Sequence, residues 1–232
     1  MTIYTVVRDV CAAVGVMVPN SVFASLDSNR TMQEMVSLAD EMAQRIAYDT
    51  RDWTALKVTQ TYTGNGTQTD FPLPANFKRL LLTSSVWSSV NTQAPLLFIP
   101  DADEWMQRRL RGYAQTPNEW TMMGGKMLIY PAMGVGTTAS FVYLDRNCVT
   151  LASGGYGDHF VNDGDSFRLD ERLLKLGMVW QWKAQKGSPY AEDMGSYSDA
   201  LANAMGHDSP APIIIGRLPI SQMRVAYPWP VP

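Results

Sequence analysis

The stretch from Asp170 to Gln185 carries apolar side chains on two sides of one helix, and such a helix must lie between neighbours. Leu173, Leu176, Gly177, Trp180 and Ala184 share one narrow sector at about 100° per residue, while Leu174, Met178 and Trp182 recur every four residues on another side. Asp170 supplies the N-cap. Gly187 is placed for a left-handed C-terminal turn, and Ser188-Pro189 offers a cap and a first-turn proline to a second helix. That partner has a single stripe, Tyr190, Met194, Tyr197, Leu201 and Ala204, and stops at Gly206. The two form an antiparallel hairpin that covers one face of the first helix. Burying a large apolar side chain is worth roughly 1.5–3 kcal/mol over exposing it. Met178 and Trp182 therefore need cover, either from the N-terminal helices, as in a four-helix bundle, or from another subunit.

Two helices precede this hairpin at the other end of the chain. Ile3, Val7, Val10 and Val14 recur at helical spacing up to Gly15, with Pro19 beyond. Thr31-Met32-Gln33-Glu34 has capping-box spacing and opens a helix to about Arg51. Its stripe is Met32, Met35, Val36, Ala39, Met42, Ala43 and Ile46, with Glu41 and Arg45 on the wet side. After Trp53 threonines, valines and aromatics alternate between turn clusters, which predicts strands. Lys57–Thr63 and Thr69–Leu73 flank Gly64-Asn65-Gly66, and Arg79–Val90 and Pro95–Ile99 flank Asn91-Thr92, as two hairpins. Asp101–Tyr113 interrupts as a helix capped by Asp101, with Trp105, Met106 and Leu110 on its apolar side. Glu119–Met123 and Met127–Tyr130 turn through Gly124-Gly125-Lys126, and Ala139–Asp145 follows. Phe160-Val161 and Phe167-Leu169 surround Asn162-Asp163-Gly164-Asp165 as a last strand pair.

The fold class expected is α+β. A helical bundle is built from residues 1–53 and 170–206, with an antiparallel β-rich subdomain, 54–169, inserted between them and an extended arm at 207–232. The arm is unusual. From Pro210 to Pro232 it holds six prolines and two charges, Arg217 and Arg224, among Ile213, Ile214, Ile215, Leu218, Ile220, Val225, Tyr227 and Trp229. Proline denies it a helix or a central strand, yet it is too apolar for an ordinary solvated tail. Extended, it spans about 70 Å, more than one such body needs. It is shaped to lie on a surface, its own or another protein's. Ile213–Ile215 could supply a strand to a partner's sheet, with Pro219 and Pro228 ending the pairing.

Bulk composition narrows the function. A formal charge of −3 with 18% charged residues leaves no basic footprint for wholesale nucleic-acid binding. Cys11 and Cys148 have no metal spacing and suit a reducing compartment. Arg8 and Asp9 break the apolar start, which therefore lacks a signal-peptide pattern, and no run approaches the roughly 20 apolar residues of a membrane span. His159 and His207 accompany no nucleophile elbow, zinc pair or phosphate loop. Asp158, Asp163, Asp165 and Asp170 do not match a calcium loop and read as turn residues. Arg108, Arg109 and Arg111 read as a solvated helix end. Trp180, Trp182 and Tyr190 fall on packing stripes rather than forming a stacking platform. No catalytic, cofactor or metal residue is expected.

Leu169-Asp170-Glu171, Leu174, Leu176-Gly177, the Trp180-x-Trp182-Lys183 group, Lys186-Gly187, Tyr190 and Glu192-Asp193 ahead of Tyr197 together resemble the head-to-tail adaptor, or connector, proteins of tailed bacteriophages. The resemblance implies a structural virion protein, made in the host cytoplasm and placed at the head–tail junction. It implies rings, commonly of twelve copies, that bind the portal protein, extend the DNA channel and meet tail or nozzle proteins, with only transient contact with passing DNA. It also supplies a partner for the arm. The partner-binding residues expected are Met178 and Trp182 on the hairpin and Ile213, Ile214, Ile215, Arg217, Leu218, Ile220, Arg224, Tyr227 and Trp229 on the arm. The alternative is another phage tail or baseplate component whose β insertion binds a partner or a glycan. A hydrolase built around Asp158–Ser166 and dependent on Asp163 is a third reading from a different class.

Overall fold

The computed structural model describes residues 1–26, 28–81, 84–110 and 119–208. The helices are α1 (Ile3–Val14), α2 (Arg30–Tyr48), α3 (Ala102–Leu110), α4 (Glu171–Gln185) and α5 (Ala191–Asp208). The strands are β1 (Lys57–Thr63), β2 (Asp70–Pro72), β3 (Phe77–Leu80), β4 (Trp87–Ser88), β5 (Leu97–Phe98), β6 (Glu119–Met123), β7 (Lys126–Tyr130), β8 (Thr138–Asp145), β9 (Val149–Thr150), β10 (Tyr156–Gly157) and β11 (Ser166–Phe167). This is the expected α+β class, with helices from both ends of the chain and strands between them. Of the expected arm, 207–232, His207 and Asp208 belong to α5 instead, and residues 209–232 lie outside the described residues.

Two hydrophobic cores organise the molecule. The larger is helical: α1, α2 and α4 bury Val7, Val10, Met32, Met35, Met42, Ile46, Leu173, Leu174 and Met178 against one another. Leu144, Cys148, Val149, Phe160 and Phe167 enter it from the strand region. The second lies among the strands, around Tyr62, Phe71, Trp120, Met127, Ile129 and Phe141. Arg168 joins the strand region to the hairpin: its guanidinium donates to Asp145 at 2.9 Å, to the Asn147 carbonyl at 2.6 Å and to the Ala55 carbonyl at 2.9 Å. Both members of the Arg168–Asp145 pair are largely shielded from water, so the charges stabilise only because their hydrogen-bonding capacity is filled.

Local signals set several elements as expected. Gly15 ends α1 with φ 72°, and Gly124-Gly125, with φ 57° and 73°, closes a two-residue turn between β6 and β7. Such a turn needs two positive φ values, which glycine adopts without strain. Asp101 caps α3 by accepting from the Asp103 amide at 2.7 Å. In α2 the cap is Asn29, not Thr31: its side-chain oxygen accepts from the Thr31 amide at 3.0 Å. Glu34 is engaged elsewhere, with Arg30 at 3.1 Å and Lys186 at 2.7 Å.

The expected hairpins of the strand region are re-paired. β1 pairs antiparallel with β8 over all seven residues, while β2 pairs with β7 in another sheet. Gly64 explains the switch: its amide donates to the Thr137 carbonyl at 2.8 Å and its carbonyl accepts from Gly136 at 3.0 Å. A Cβ at Gly64 would stand 2.5 Å from the Met133 Cβ, so the glycine serves a close backbone approach rather than a hairpin tip. The Asn91-Thr92 hairpin is not formed as a ladder either. β4 pairs with β8 and β5 runs parallel to β6, with one bond from the Leu96 amide to the Val86 carbonyl at 2.8 Å. The last expected pair is also replaced, because β11 joins β9 rather than Phe160-Val161. The Asp165 carboxylate takes the Val161 and Asn162 amides instead.

Candidate interaction surface

Asp170 opens α4 by accepting from the Arg172 amide at 2.8 Å. At the other end Gly187, with φ 69°, donates to the Ala184 carbonyl at 3.2 Å, and Ser188 donates to the Lys183 carbonyl at 2.9 Å. It is the Ser188 backbone amide, not its hydroxyl, that is spent in closing α4. α5 begins at Ala191, later than the Ser188-Pro189 signal predicted, with the Met194 amide donating to the Tyr190 carbonyl at 2.9 Å; it also continues through Gly206 to Asp208.

The ridge of Leu174, Met178 and Trp182 is the deepest part of α4. Met178 is 0% exposed and Trp182 6%, and both belong to the helical core. This corrects the expectation that they meet another protein: α1 and α2 pack on α4 and supply the cover. Lys186 sits over the Trp182 ring at 4.6 Å and pairs with Glu34 of α2, sealing that side. Of the other stripe, Leu173 and Gly177 are buried, whereas Leu176 and Trp180 are half-buried beside α5. Gly177 allows the close approach, since a Cβ there would lie 2.5 Å from the Met42 Cε and 3.2 Å from the Tyr197 ring.

α5 covers α4 with little to spare. Tyr197 is its only buried residue, and burial pushes its hydroxyl above the ordinary tyrosine range. Tyr190 and Met194, predicted as stripe positions, are exposed. The outer face carries Ala191, Gly195, Ser198, Ala202 and Gly206, all exposed at helical spacing. Sequence reading missed this small-residue face because it looked for apolar stripes; the spacing itself was visible. The end of α5 is fixed by Asp208, which accepts from the Thr54 amide at 3.1 Å and meets Arg51 at 3.5 Å, while Arg51 also donates to the Met205 carbonyl.

A second exposed set lies in the strand region. Trp87 is 46% and Phe98 48% exposed, with Val90 and Leu97 also open. Trp87 borders a cavity of about 350 Å³ lined also by Thr59, Ser84, Ser85 and Ser140. On α3, Trp105 is buried as expected, but Met106 and Leu110 are exposed. Ile213, Ile214, Ile215, Arg217, Leu218, Ile220, Arg224, Tyr227 and Trp229, together with Arg111 and Tyr113, lie outside the described residues.

The aspartates around residue 163 serve the fold. The Asp163 carboxylate accepts from the Ser21 hydroxyl and from the amides of Val22 and Phe23 at 3.0 and 3.1 Å. Fully buried Asp165 accepts from the amides of Ala152, Val161 and Asn162 at 2.7 to 2.8 Å. Their backbone carbonyls take the first-turn amides of α1, from Tyr4 and Ile3. The hydrolase reading therefore loses Asp163, whose oxygens are committed to orphan donors at the N-terminal segment. Among the described residues no helix is long and apolar enough to cross a membrane, and no cluster of His, Cys, Asp and Glu has metal-holding geometry.

No curated protein matches this sequence. A family model does, over residues 1–213, which takes in the helices of both ends and the strands between, and stops within the arm. By that match the chain belongs to the SU10 adaptor protein family and is a phage structural adaptor protein.

Proposed function

We propose that this adaptor forms a ring, of twelve copies as the resemblance implies, at the head–tail junction, where it binds the portal, extends the DNA channel and gives tail or nozzle proteins a platform. The observation that carries the reading is the pairing of a family match over residues 1–213 with a helix, α5, that exposes Ala191, Gly195, Ser198, Ala202 and Gly206 at helical spacing, flanked by polar Glu192, Asp199 and Asn203. Small residues let a neighbouring backbone come close, because the distance between packed helices is set by the side chains at the contact. The near-neutral charge suits a channel through which DNA slides, since a strongly basic wall would hold it. In this reading residues 1–53 and 170–206 form the ring body, residues 54–169 the insertion, and the arm reaches the portal. Removing residues 210–232 is expected to leave a folded protein that no longer joins portal, as read by light scattering of the mixture. Binding at full strength would remove the arm from the mechanism.

Exposed Trp87 and Phe98 favour a second reading, a tail or baseplate component whose β insertion meets a partner or a glycan. Saccharide affinity lost in Trp87→Ala, with portal binding absent in the parent protein, would select it.

A further inference from the structure

Among the described strands of five residues or more, β1 alone has a partner on one side only. Natural sheet edges are usually guarded by proline, charge, a bulge or shortness. The other edges here follow that rule. β2 contains Asp70 and Pro72, β3 has a register shift between Phe77 and Arg79, and β5 is two residues long. β1 runs in unbroken register with β8 for seven residues, contains no proline, and has one charge, Lys57, at its first position.

The direction of its backbone groups can be assigned. Gly64 continues the β1–β8 ladder and directs both its N–H and its C=O at the Gly136-Thr137 segment. Because these directions alternate along a strand, Val58, Gln60 and Tyr62 face β8, whereas Thr59, Thr61 and Thr63 present their amides and carbonyls to the open side; the Lys57 amide is taken by the Thr54 carbonyl. Among the described residues, the outward Thr61 carbonyl accepts from the neighbouring Gln60 side chain alone, at 3.4 Å.

The chain itself returns to this edge. α5 ends at Asp208, whose carboxylate is held by the Thr54 amide, three residues before β1 begins. Ile213 follows five residues later, a reach of about 17 Å, and β1 is about 20 Å long. Between Pro212 and Pro219 the sequence Ile-Ile-Ile-Gly-Arg-Leu keeps every amide donor and opens with three β-branched residues. A chain leaving the foot of β1 runs in the same direction as that strand.

We propose that residues 213–218 add to the open side of their own subunit's β1 as a parallel strand. The pairing satisfies the outward groups of Thr59, Thr61 and Thr63, guards the edge, and fixes the root of the arm so that residues 219–232 project from a defined place. It does not depend on what those last residues bind.

Amide exchange followed residue by residue tests this in four proteins: the full chain, the chain without residues 219–232, the chain without residues 209–232, and Ile214→Pro. In the first two, the Thr59, Thr61 and Thr63 amides are expected to exchange about tenfold more slowly than in the last two, the factor given by about 1.4 kcal/mol. The amides of Val58, Gln60 and Tyr62 act as internal controls and stay protected in all four. Equal exchange of the odd-numbered amides in all four proteins would overturn the pairing. Protection that disappears on dilution would assign the strand to a second copy and overturn pairing within one subunit. Portal binding lost on removing residues 219–232, with β1 still protected, concerns the function of the arm tip alone.

Discussion

α4 and α5 are adjacent helices of one hairpin, yet one is enclosed and the other rests on the outside. α4 buries Leu173, Leu174, Gly177, Met178, Val179 and Trp182, whereas α5 buries only Tyr197. The difference follows from the width of the apolar sector. Two ridges on α4 give α1, α2 and α5 each a side to pack on, while the single stripe of α5 is used up by α4, leaving small and polar residues outward. A helix with surplus apolar surface is drawn inward before it can serve an interface, so the surface left for partners belongs to its less hydrophobic neighbour.

The sharpest test of that contrast truncates matched methionines on the two helices. Met178→Ala should cost about 2–5 kcal/mol in urea unfolding, the range for a fully buried methionine that leaves a cavity. A loss below 1 kcal/mol would mean that α1 and α2 do not enclose α4. Next in size, Gly177→Val should destabilise by about 1–3 kcal/mol through overpacking against Met42 and Tyr197, and a neutral result would deny the close approach of α5.

The core on which α4 rests also sets a response to alkali. Burial pushes the Cys148 thiol up to about 11 from an ordinary 9.0. A folded-state value above the unfolded one means that this stability is fully present below about pH 9 and is lost as pH rises through about 11. Urea midpoints measured across that window should fall, and Cys148→Ala should flatten the fall. Tyr62 in the strand core, pushed up to about 12 chiefly by burial, should give way later; a single decline through both windows that Cys148→Ala leaves unchanged would contradict the assignment. The smallest effect expected is that of Met194→Ala on exposed α5, within about 0.5 kcal/mol. A larger loss in the isolated protein would show that the outer face of α5 is already covered.

Much of the helical body was legible because its signals are local. Gly15, Asp170 and Gly187 mark ends through backbone conformations and caps that depend on a few neighbouring residues, and the α2 stripe of Met32 to Ile46 is buried throughout. The candidate interface was less legible. The apolar periodicity that identified Met178 and Trp182 says that they are buried, but it says nothing about which element buries them. The exposed aromatics Trp87 and Phe98 went unremarked because exposure is a property of the assembled strands.

What the sequence determined by itself was the α+β class, the helical ends around a strand-rich middle, and the hairpin whose residues pointed to phage adaptors. These rest on periodicity, capping and turn chemistry within windows of a few residues. Only the tertiary structure decided that Lys57–Thr63 pairs with Thr138–Asp145 instead of its neighbour, that the Asp163 carboxylate and the Asp165 carbonyl hold the N-terminal segment, and that the Met178 ridge lies innermost. The physical reason is common to all three: each is a choice among partners far apart in the chain, settled by close packing at Gly64 and by buried donors that had to be satisfied, and no local pattern encodes which distant group will meet that demand.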